Sequence, residues 1–358
     1  MFEAPPLTEL QKTLSSASNP IGMRMRAAYY LRQAYKNTKR NTIDDNDDDS
    51  DMSHEESHHM KIDQIVINSL SNGLLNKDHG SLLRHEFAYV MGQLRDDRCC
   101  DVLEKVLLND SDCIMVRHEC GEALGAIGAS RSIPILEKAI EANPDRPEIG
   151  ETCKLAIDYM AWKARGGEEN DMENQPMVCA CMLSPYSSVD PAPPHPQHAN
   201  MKVEEIGQIL RDSSLPLFER YRAMFSLRNL GGSDAVIELG KGLLEDSSSA
   251  LFRHEISYVL GQMAHPDSVE ALAESLSRKD EHAMVRHESA EALGAIEGRW
   301  NDVAQILNNF LNDEDVVVRE SCVVALDAVD YWGRWSMCDE EGGKETCPSF
   351  AQTKAQEV

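Results

Sequence analysis

The sequence predicts an all-α fold, an α-solenoid of eight helical hairpins arranged as two halves of four repeats each. Three observations support this prediction. A four-residue motif occurs twice in the first half, the same pair recurs with the same internal spacing in the second half, and amphipathic segments lie between the motifs. A short period inside a long duplication is typical of repeat proteins, in which each hairpin buries its apolar face only against its neighbours.

The recurring motif is an apolar residue followed by Arg-His-Glu, and it occurs at residues 83–86, 116–119, 252–255 and 285–288. Arginines extend the repeat into segments that lack the motif. We align Arg26, Arg84, Arg117, Arg222, Arg253, Arg286 and Arg319. Because these arginines recur with and without the histidine, we expect them to pair with a helix-capping Asp of a neighbouring repeat.

The segments between the motifs have apolar residues at steps of three and four, with Asp or Ser before the helix starts, which indicates amphipathic helices. Residues 268–276 are one example. Glycines that follow the motifs are expected to permit close helix packing or to end a helix; they are Gly92, Gly125, Gly261 and Gly294. Tyr89 and Tyr258 are interpreted as ordinary core residues.

Changes in composition divide the chain. The interval between the first two aligned arginines is longer in the first half than in the second, and the surplus lies in an Asp-, Ser- and His-rich stretch at about 40–60. We expect a disordered acidic insertion there. Gly- and Pro-rich residues 166–200 are expected to form a linker that lets the halves face each other. The halves then comprise residues 1–165 and 201–338, and residues 339–358 form a flexible tail.

The composition also limits the kinds of partner that the protein is expected to bind. The chain has 35 basic and 61 acidic residues, a formal charge of −26, which argues against nucleic acid or an anionic membrane as the partner. This charge favours a cationic partner or substrate, although acidity for solubility is the alternative. No secretory signal and no apolar run of membrane-spanning length are visible, and the ten cysteines are scattered, so we expect a cytoplasmic protein.

The His-Glu pairs are predicted metal ligands. A purely structural motif would recur in all eight repeats, but this one is confined to the two central repeats of each half. The outer repeats have Ala27, Glu151, Ala223 and Glu320 at the position of the histidine. We expect each motif to open the second helix of its hairpin, on the concave face, so that each half offers two imidazoles and two carboxylates. Such ligands suit ferrous iron and oxygen chemistry, and two facing halves would form a dinuclear site.

The residues around the motifs resemble the deoxyhypusine hydroxylase family. The resemblance rests on 84–86 followed by Tyr-Val-Met-Gly-Gln-Leu at 89–94, on 117–119 followed by Glu-Ala-Leu-Gly-Ala-Ile at 122–127, and on their counterparts at 253–263 and 286–296. It covers nearly the whole chain except the insertion, part of the linker and the tail.

This resemblance implies HEAT-like repeats and a non-haem di-iron monooxygenase with two Fe²⁺ per chain. Such an enzyme uses molecular oxygen to hydroxylate the deoxyhypusine side chain of a eukaryotic translation initiation factor, which completes hypusine. The implied iron ligands are His85, Glu86, His118, Glu119, His254, Glu255, His287 and Glu288. As a finer hypothesis, His85 and His118 with Glu255 hold one iron, His254 and His287 with Glu86 hold the other, and Glu119 and Glu288 lean toward the substrate amino groups.

Two other functions are compatible with the same sequence. A HEAT-repeat scaffold without catalysis is the commoner use of this architecture, but it leaves the restriction of His-Glu to the central repeats unexplained. A hydrolase that uses zinc or manganese at the same eight residues is the second alternative, because ligand types alone do not identify the metal.

Overall fold

The structure, a computed structural model, describes residues 5–44, 52–167 and 186–340. These residues contain sixteen α-helices and no β-strand. The first eight are α1 Leu7–Ser15, α2 Ile21–Asp44, α3 Met52–Leu75, α4 Gly80–Leu94, α5 Cys100–Leu107, α6 Ile114–Ile127, α7 Ile133–Ala142 and α8 Pro147–Ala164. The second eight are α9 Val203–Arg211, α10 Leu217–Leu230, α11 Gly232–Glu245, α12 Ala250–Met263, α13 Val269–Ser277, α14 Ala283–Gly294, α15 Trp300–Asn308 and α16 Val316–Glu340.

Successive helices pack in pairs as hairpins, and the second helix of each hairpin packs against the second helix of the next. The even-numbered helices therefore form an inner layer and the odd-numbered helices an outer one. The apolar spacing explains this packing, as in α13, where Val269, Leu272 and Leu276 recur at steps of three and four and are buried. The prediction of an all-α solenoid is confirmed.

The two halves have separate hydrophobic cores, one built from residues between Leu10 and Met160 and one from residues between Leu155 and Val329. They meet at two junctions. At the first, α8 contacts α10 and α12; at the second, α16 contacts α2 and α4. The inner helices of both halves therefore surround a common space. No helix in the described ranges has the length and apolarity needed to cross a membrane.

Glycines allow the inner helices to approach one another closely. A Cβ atom on Gly92 would lie 2.8 Å from the Cα atom of Ala123, and one on Gly294 would lie 2.7 Å from that of Ala325. Both distances are too short for a methyl group. The predicted role in close helix packing is therefore confirmed for Gly92 and Gly294.

Two of the repeated arginines hold their inner helices to the helix before and to the next loop. Arg84 Nε donates to the carbonyl oxygen of Leu74 at 2.6 Å, and its guanidinium forms two hydrogen bonds with Asp112. Arg286 makes the same contacts with Leu276 and Asp313. The predicted pairing with an Asp near a helix start is confirmed for these two residues.

In α10 the structure corrects the predicted alignment. Arg220, not Arg222, donates from Nε to the carbonyl oxygen of Leu210, at 2.9 Å, in the preceding helix. With Arg220 the aligned arginines of the second half are all equally spaced. The position of the histidine in this repeat is consequently Tyr221 rather than Ala223. The error arose because two arginines lie close together at the start of α10, and the sequence alone does not distinguish them.

The connecting segments differ from simple loops where they are described. Helix α2 ends at Asp44 and α3 begins at Met52, so helix extends into both ends of the predicted 40–60 insertion, and residues 45–51 lie outside the described part. Residues 186–200 of the predicted linker, which we call the strap, pack across the inner helices. Within the strap, Ala192 is fully buried. Helix α16 continues to Glu340, and the rest of the predicted tail is not described.

Candidate metal centre

The four His-Glu motifs lie near the starts of the inner helices α4, α6, α12 and α14, and their imidazole rings form one cluster. Ring centroids within a half are 5.3 Å apart, for His85 with His118 and for His254 with His287. Across the halves the separation is similar: 5.2 Å between His118 and His254 and 5.5 Å between His85 and His287. All four histidines are buried.

Several ring nitrogens in this cluster are buried without a hydrogen-bond partner. They are Nε2 of His85, both ring nitrogens of His118 and of His254, and Nε2 of His287. A buried polar atom without a partner costs about 1–3 kcal/mol, so a group of them in one place indicates a ligand-binding site. Because imidazole nitrogens bind transition metals, a cation between the four rings fits these residues.

Two glutamates complete this arrangement in a symmetric way. Glu119 Oε2 lies 3.2 Å from His85 Nε2, and Glu288 Oε2 lies 3.5 Å from His254 Nε2. In both cases the carboxylate of one repeat reaches the histidine of the preceding repeat. The potential ligand atoms of His254, His287 and Glu288 all lie within 4.8 Å of one another. Two further groups meet the same limit. One comprises His85, His118 and His254, and the other comprises His118, Glu119 and Glu122.

The other two motif glutamates have different surroundings. Glu86 Oε1 lies 3.2 Å from His85 Nδ1, and Glu86 Oε2 accepts a hydrogen bond from the Tyr29 hydroxyl at 2.6 Å. Helix α10 has Phe225 at the position of Tyr29 in α2, and Phe225 has no hydroxyl to donate to Glu255. The two halves of the site are therefore alike in their histidines but not in what surrounds these two carboxylates.

Burial controls the protonation of the histidines. It lowers the pKa of His118 and of His254 well below the ordinary value, and it lowers the pKa of His287 to about 3. Burial also opposes a charge on His85, but the carboxylates of Glu119 and Glu86 raise its pKa well above the ordinary value. Three of the four imidazoles are thus held neutral, which is the form that binds metal.

Burial has the opposite effect on the carboxyl groups. It raises the pKa of Glu255 and of Glu288 well above the ordinary value, and neighbouring carboxylates raise both further. Buried carboxylates this close together repel one another unless a proton or a cation lies between them. A divalent cation would stabilise their ionised form, so these carboxyl groups also fit a metal.

The cluster opens into a cavity of about 290 Å³. Tyr89 and Tyr258, at equivalent positions of the two halves, contribute hydroxyl groups that are 2.8 Å apart. Gln262 Nε2 donates to the Tyr258 hydroxyl at 2.9 Å. The interpretation of the two tyrosines as ordinary core is wrong, because they line this cavity. Their place four residues after a motif histidine, on the same helix face, is a signal that could have identified them.

Glu122 and Glu291 also line the cavity. In the sequence, each lies one turn beyond a motif histidine and begins a Glu-Ala-Leu-Gly segment. Both face the cavity, and Glu291 in addition accepts a hydrogen bond from Ser321 of the next inner helix at 2.8 Å. Burial raises the pKa of both carboxyl groups.

Comparisons with known proteins agree with this description. The family model of HEAT repeats matches residues 67–151 and 238–327. Deoxyhypusine hydroxylase of Danio rerio is 48% identical over 254 residues, covering 71% of this chain and 78% of the relative. That of Saccharomyces cerevisiae is 45% identical over 254 residues, covering 71% and 74%. The solved structure of human deoxyhypusine hydroxylase in complex with glycerol has a TM-score of 0.73 and 38% identity, covering 90% of this chain and 96% of that one.

Proposed function

The chain belongs to the deoxyhypusine hydroxylase family, and we propose from this membership that it hydroxylates the deoxyhypusine side chain of a protein substrate to form hypusine. In finer detail, the substrate is a eukaryotic translation initiation factor and the oxidant is molecular oxygen. The observation that carries this proposal is the cluster of four buried histidines, six of whose eight ring nitrogens have no hydrogen-bond partner. The cytoplasmic location and the lack of a nucleic acid partner stay predictions.

We propose that two Fe²⁺ bind at this cluster, with the eight residues of the His-Glu motifs around them. Iron at such a site supplies the activation of molecular oxygen that hydroxylation requires. The distances support a different division of the carboxylates from the one hypothesised from sequence. Glu119 and Glu288 each reach the histidine of the preceding repeat and belong to the groups of potential ligands, whereas Glu86 contacts the Nδ1 atom of its adjacent His85 and is hydrogen-bonded to Tyr29. Glu119 and Glu288 are therefore our proposed ligands, and Glu86, which lines the cavity, is our proposed substrate-facing residue.

The cavity next to the histidines suits a long cationic side chain. Its walls include the carboxyl groups of Glu86, Glu122 and Glu291, which can accept hydrogen bonds from amino groups and neutralise their charge. The paired hydroxyls of Tyr89 and Tyr258 limit the cavity on one side. The net charge of −26 supports attraction of a cationic group toward the entrance.

The test compares wild-type protein with His118→Ala, and with His265→Ala as the control. His265 precedes α13, and 30% of its side chain is exposed. We expect wild type and the control to hold about two irons per chain and to hydroxylate a deoxyhypusine-bearing substrate protein. We expect His118→Ala to lose iron and at least about a hundredfold of the activity, since it removes a metal ligand.

Three outcomes would contradict the proposal. Stoichiometric zinc or manganese without hydroxylation would favour the hydrolase, and a folded wild type that binds no metal would favour the scaffold. Full iron content and activity in His118→Ala would place the metal elsewhere in the molecule.

A further inference from the structure

A groove of about 440 Å³ lies between α2 and α16, where the first and last hairpins meet. Aromatic and apolar side chains form most of its walls, together with the ion pair of Arg26 and Asp327. Tyr29 lines both this groove and the metal cavity, and its hydroxyl reaches Glu86. The groove therefore leads along the surface to the edge of the proposed active site.

The internal duplication relates this junction to the one between α8 and α10. Helix α10 corresponds to α2, because both contain Arg-x-Arg-Ala near the start, at residues 220–223 and 24–27. The motifs of the first half recur in the second half at a fixed distance along the chain. The same shift places α8 on α16, with Leu155 at the position of Val324. Each junction thus joins the last hairpin of one half to the first hairpin of the other.

The α8–α10 junction is filled by the strap. Arg222 donates from Nε to the carbonyl oxygen of Pro193 and from Nη2 to that of Pro194, both at 3.2 Å. The Ser226 hydroxyl lies 2.8 Å from His198 Nδ1, and Pro191 lies in the crevice beside α8. This junction consequently binds a proline-rich stretch of polypeptide, partly through hydrogen bonds to its backbone.

The corresponding residues of α2 line the groove. Arg26 is at the position of Arg222, but 24% of its side chain is exposed and it pairs with Asp327, whereas Arg222 is buried beneath the strap. Tyr30 is at the position of Ser226 and is half-buried. A guanidinium that pairs with a partly exposed carboxylate can exchange that contact for a backbone carbonyl, because an ion pair that water reaches contributes little.

We propose that this groove binds an extended segment of the protein substrate that adjoins the deoxyhypusine residue. In this arrangement Arg26 donates to backbone carbonyls, Tyr30 and Tyr331 contact side chains, and the modified side chain enters the metal cavity past Tyr29. A cavity of about 290 Å³ accommodates a side chain but not a folded protein, so the rest of the substrate must lie on the surface beside it. The inference rests on the proposed function, from which the substrate is a protein.

The test uses the full chain loaded with iron and two ligands: the deoxyhypusine-bearing substrate protein and the free amino acid deoxyhypusine. Tyr331→Ser combined with Arg26→Gln should weaken binding of the protein about tenfold or more, because contacts outside the cavity are lost. Binding of the free amino acid and the iron content should stay as in wild type. Val323→Ser is the matched control, since Val323 is exposed on α16 and does not line the groove.

A photoreactive p-benzoylphenylalanine in place of Tyr331 gives a second readout, for which we expect a cross-link to the substrate protein. Unchanged affinity for the protein in the double variant, or an equal loss for both ligands, would overturn the inference. A cross-link only within the chain itself would also overturn it, since the chain would then cover its own groove. A wild type that binds neither ligand would instead contradict the proposed function.

Discussion

Three consecutive residues of the motif serve three purposes because successive side chains on a helix point about 100° apart. In α4, Arg84 turns to the preceding helix and to Asp112, His85 turns into the histidine cluster, and Glu86 turns to Tyr29. One short motif can thus stabilise the solenoid and furnish a site. The glutamate nevertheless stays near its own histidine in α4, where Glu86 Oε1 lies 3.2 Å from His85 Nδ1.

The division of the carboxylates predicts that two similar substitutions differ in their effect on metal binding. We expect Glu119→Gln to lower iron affinity by at least about tenfold, because an amide is a weaker ligand than a carboxylate. We expect Glu86→Gln to keep its iron, since the Tyr29 hydroxyl can donate to the amide oxygen as well, and to weaken substrate binding. Iron titration of the purified variants measures the first effect, and binding of deoxyhypusine measures the second.

The two variants act as controls for each other, because both remove one negative charge within the same cluster. Retention of iron in Glu119→Gln together with weaker substrate binding would support the division that was hypothesised from sequence. Loss of iron in both variants would make all of these carboxylates ligands.

The sequence was sufficient to predict that the four histidines form one site, because their spacing within one half is repeated in the other. It was not sufficient to divide the glutamates. Helical periodicity gives the direction of Glu119 on its own helix, but the approach of Glu119 to His85 depends on how closely α4 and α6 pack. Tyr29 was missed for a similar reason, because it reaches Glu86 from a helix that lacks the motif.

At the scale of elements, small residues set the distance between inner helices. Gly92 faces Ala123, and Gly125 faces Ala156 in the next pair, where a Cβ atom on the glycine would lie 2.8 Å from the alanine Cβ. This close approach brings the imidazole rings of neighbouring inner helices to centroid separations of 5.3 Å within each half. Spacing of the helices and geometry of the site are therefore coupled.

A methyl group at this contact should be destabilising. We expect Gly92→Ala to lower the free energy of unfolding by about 1–3 kcal/mol, because its Cβ would meet the backbone of Ala123 and the helices must separate. Gly150→Ala is the control: it is also in an inner helix, and nothing lies within 4 Å of its added Cβ. Since Ala favours helix more than Gly does, this control should be neutral or stabilising by up to about 1 kcal/mol.

Urea unfolding followed by circular dichroism measures both values. Equal stability of the two variants would mean that the helices move apart without cost, contrary to the proposed role of Gly92. Iron content of Gly92→Ala provides a second measure, because wider helix spacing should also weaken metal binding.

The elements themselves were largely predictable, because each hairpin repeats the same apolar spacing. The strap was not. Its Pro-rich composition is typical of a linker, and its order depends on Arg222 and Arg228 of α10, which contact Pro193 and Asp190 far back along the chain. Tertiary contacts of this kind leave no periodic pattern for a sequence argument to use.

In the whole molecule, the proposed metal site lies where two separately cored halves meet. The halves also contact each other at the α8–α10 and α16–α2 junctions. Without a cation, the centre of this interface contains buried imidazole nitrogens without partners and carboxyl groups that burial keeps protonated. An interface with such a centre is weakened by its own polar groups, so the metal should contribute to the stability of the whole chain as well as to its activity.

Removal of the metal should therefore lower the melting temperature of the whole protein. A ligand present at a hundred times its Kd stabilises the folded state by about 2.7 kcal/mol, which for a chain of this size corresponds to a shift of several degrees. We expect calorimetry to record this decrease after iron is chelated, and to record its reversal when Fe²⁺ is restored. His118→Ala is the control, because a variant that binds no iron should melt at the same temperature with and without the chelator. If the chelator leaves the melting temperature of the wild type unchanged, the metal does not bridge the halves. The two junctions alone would then hold them together.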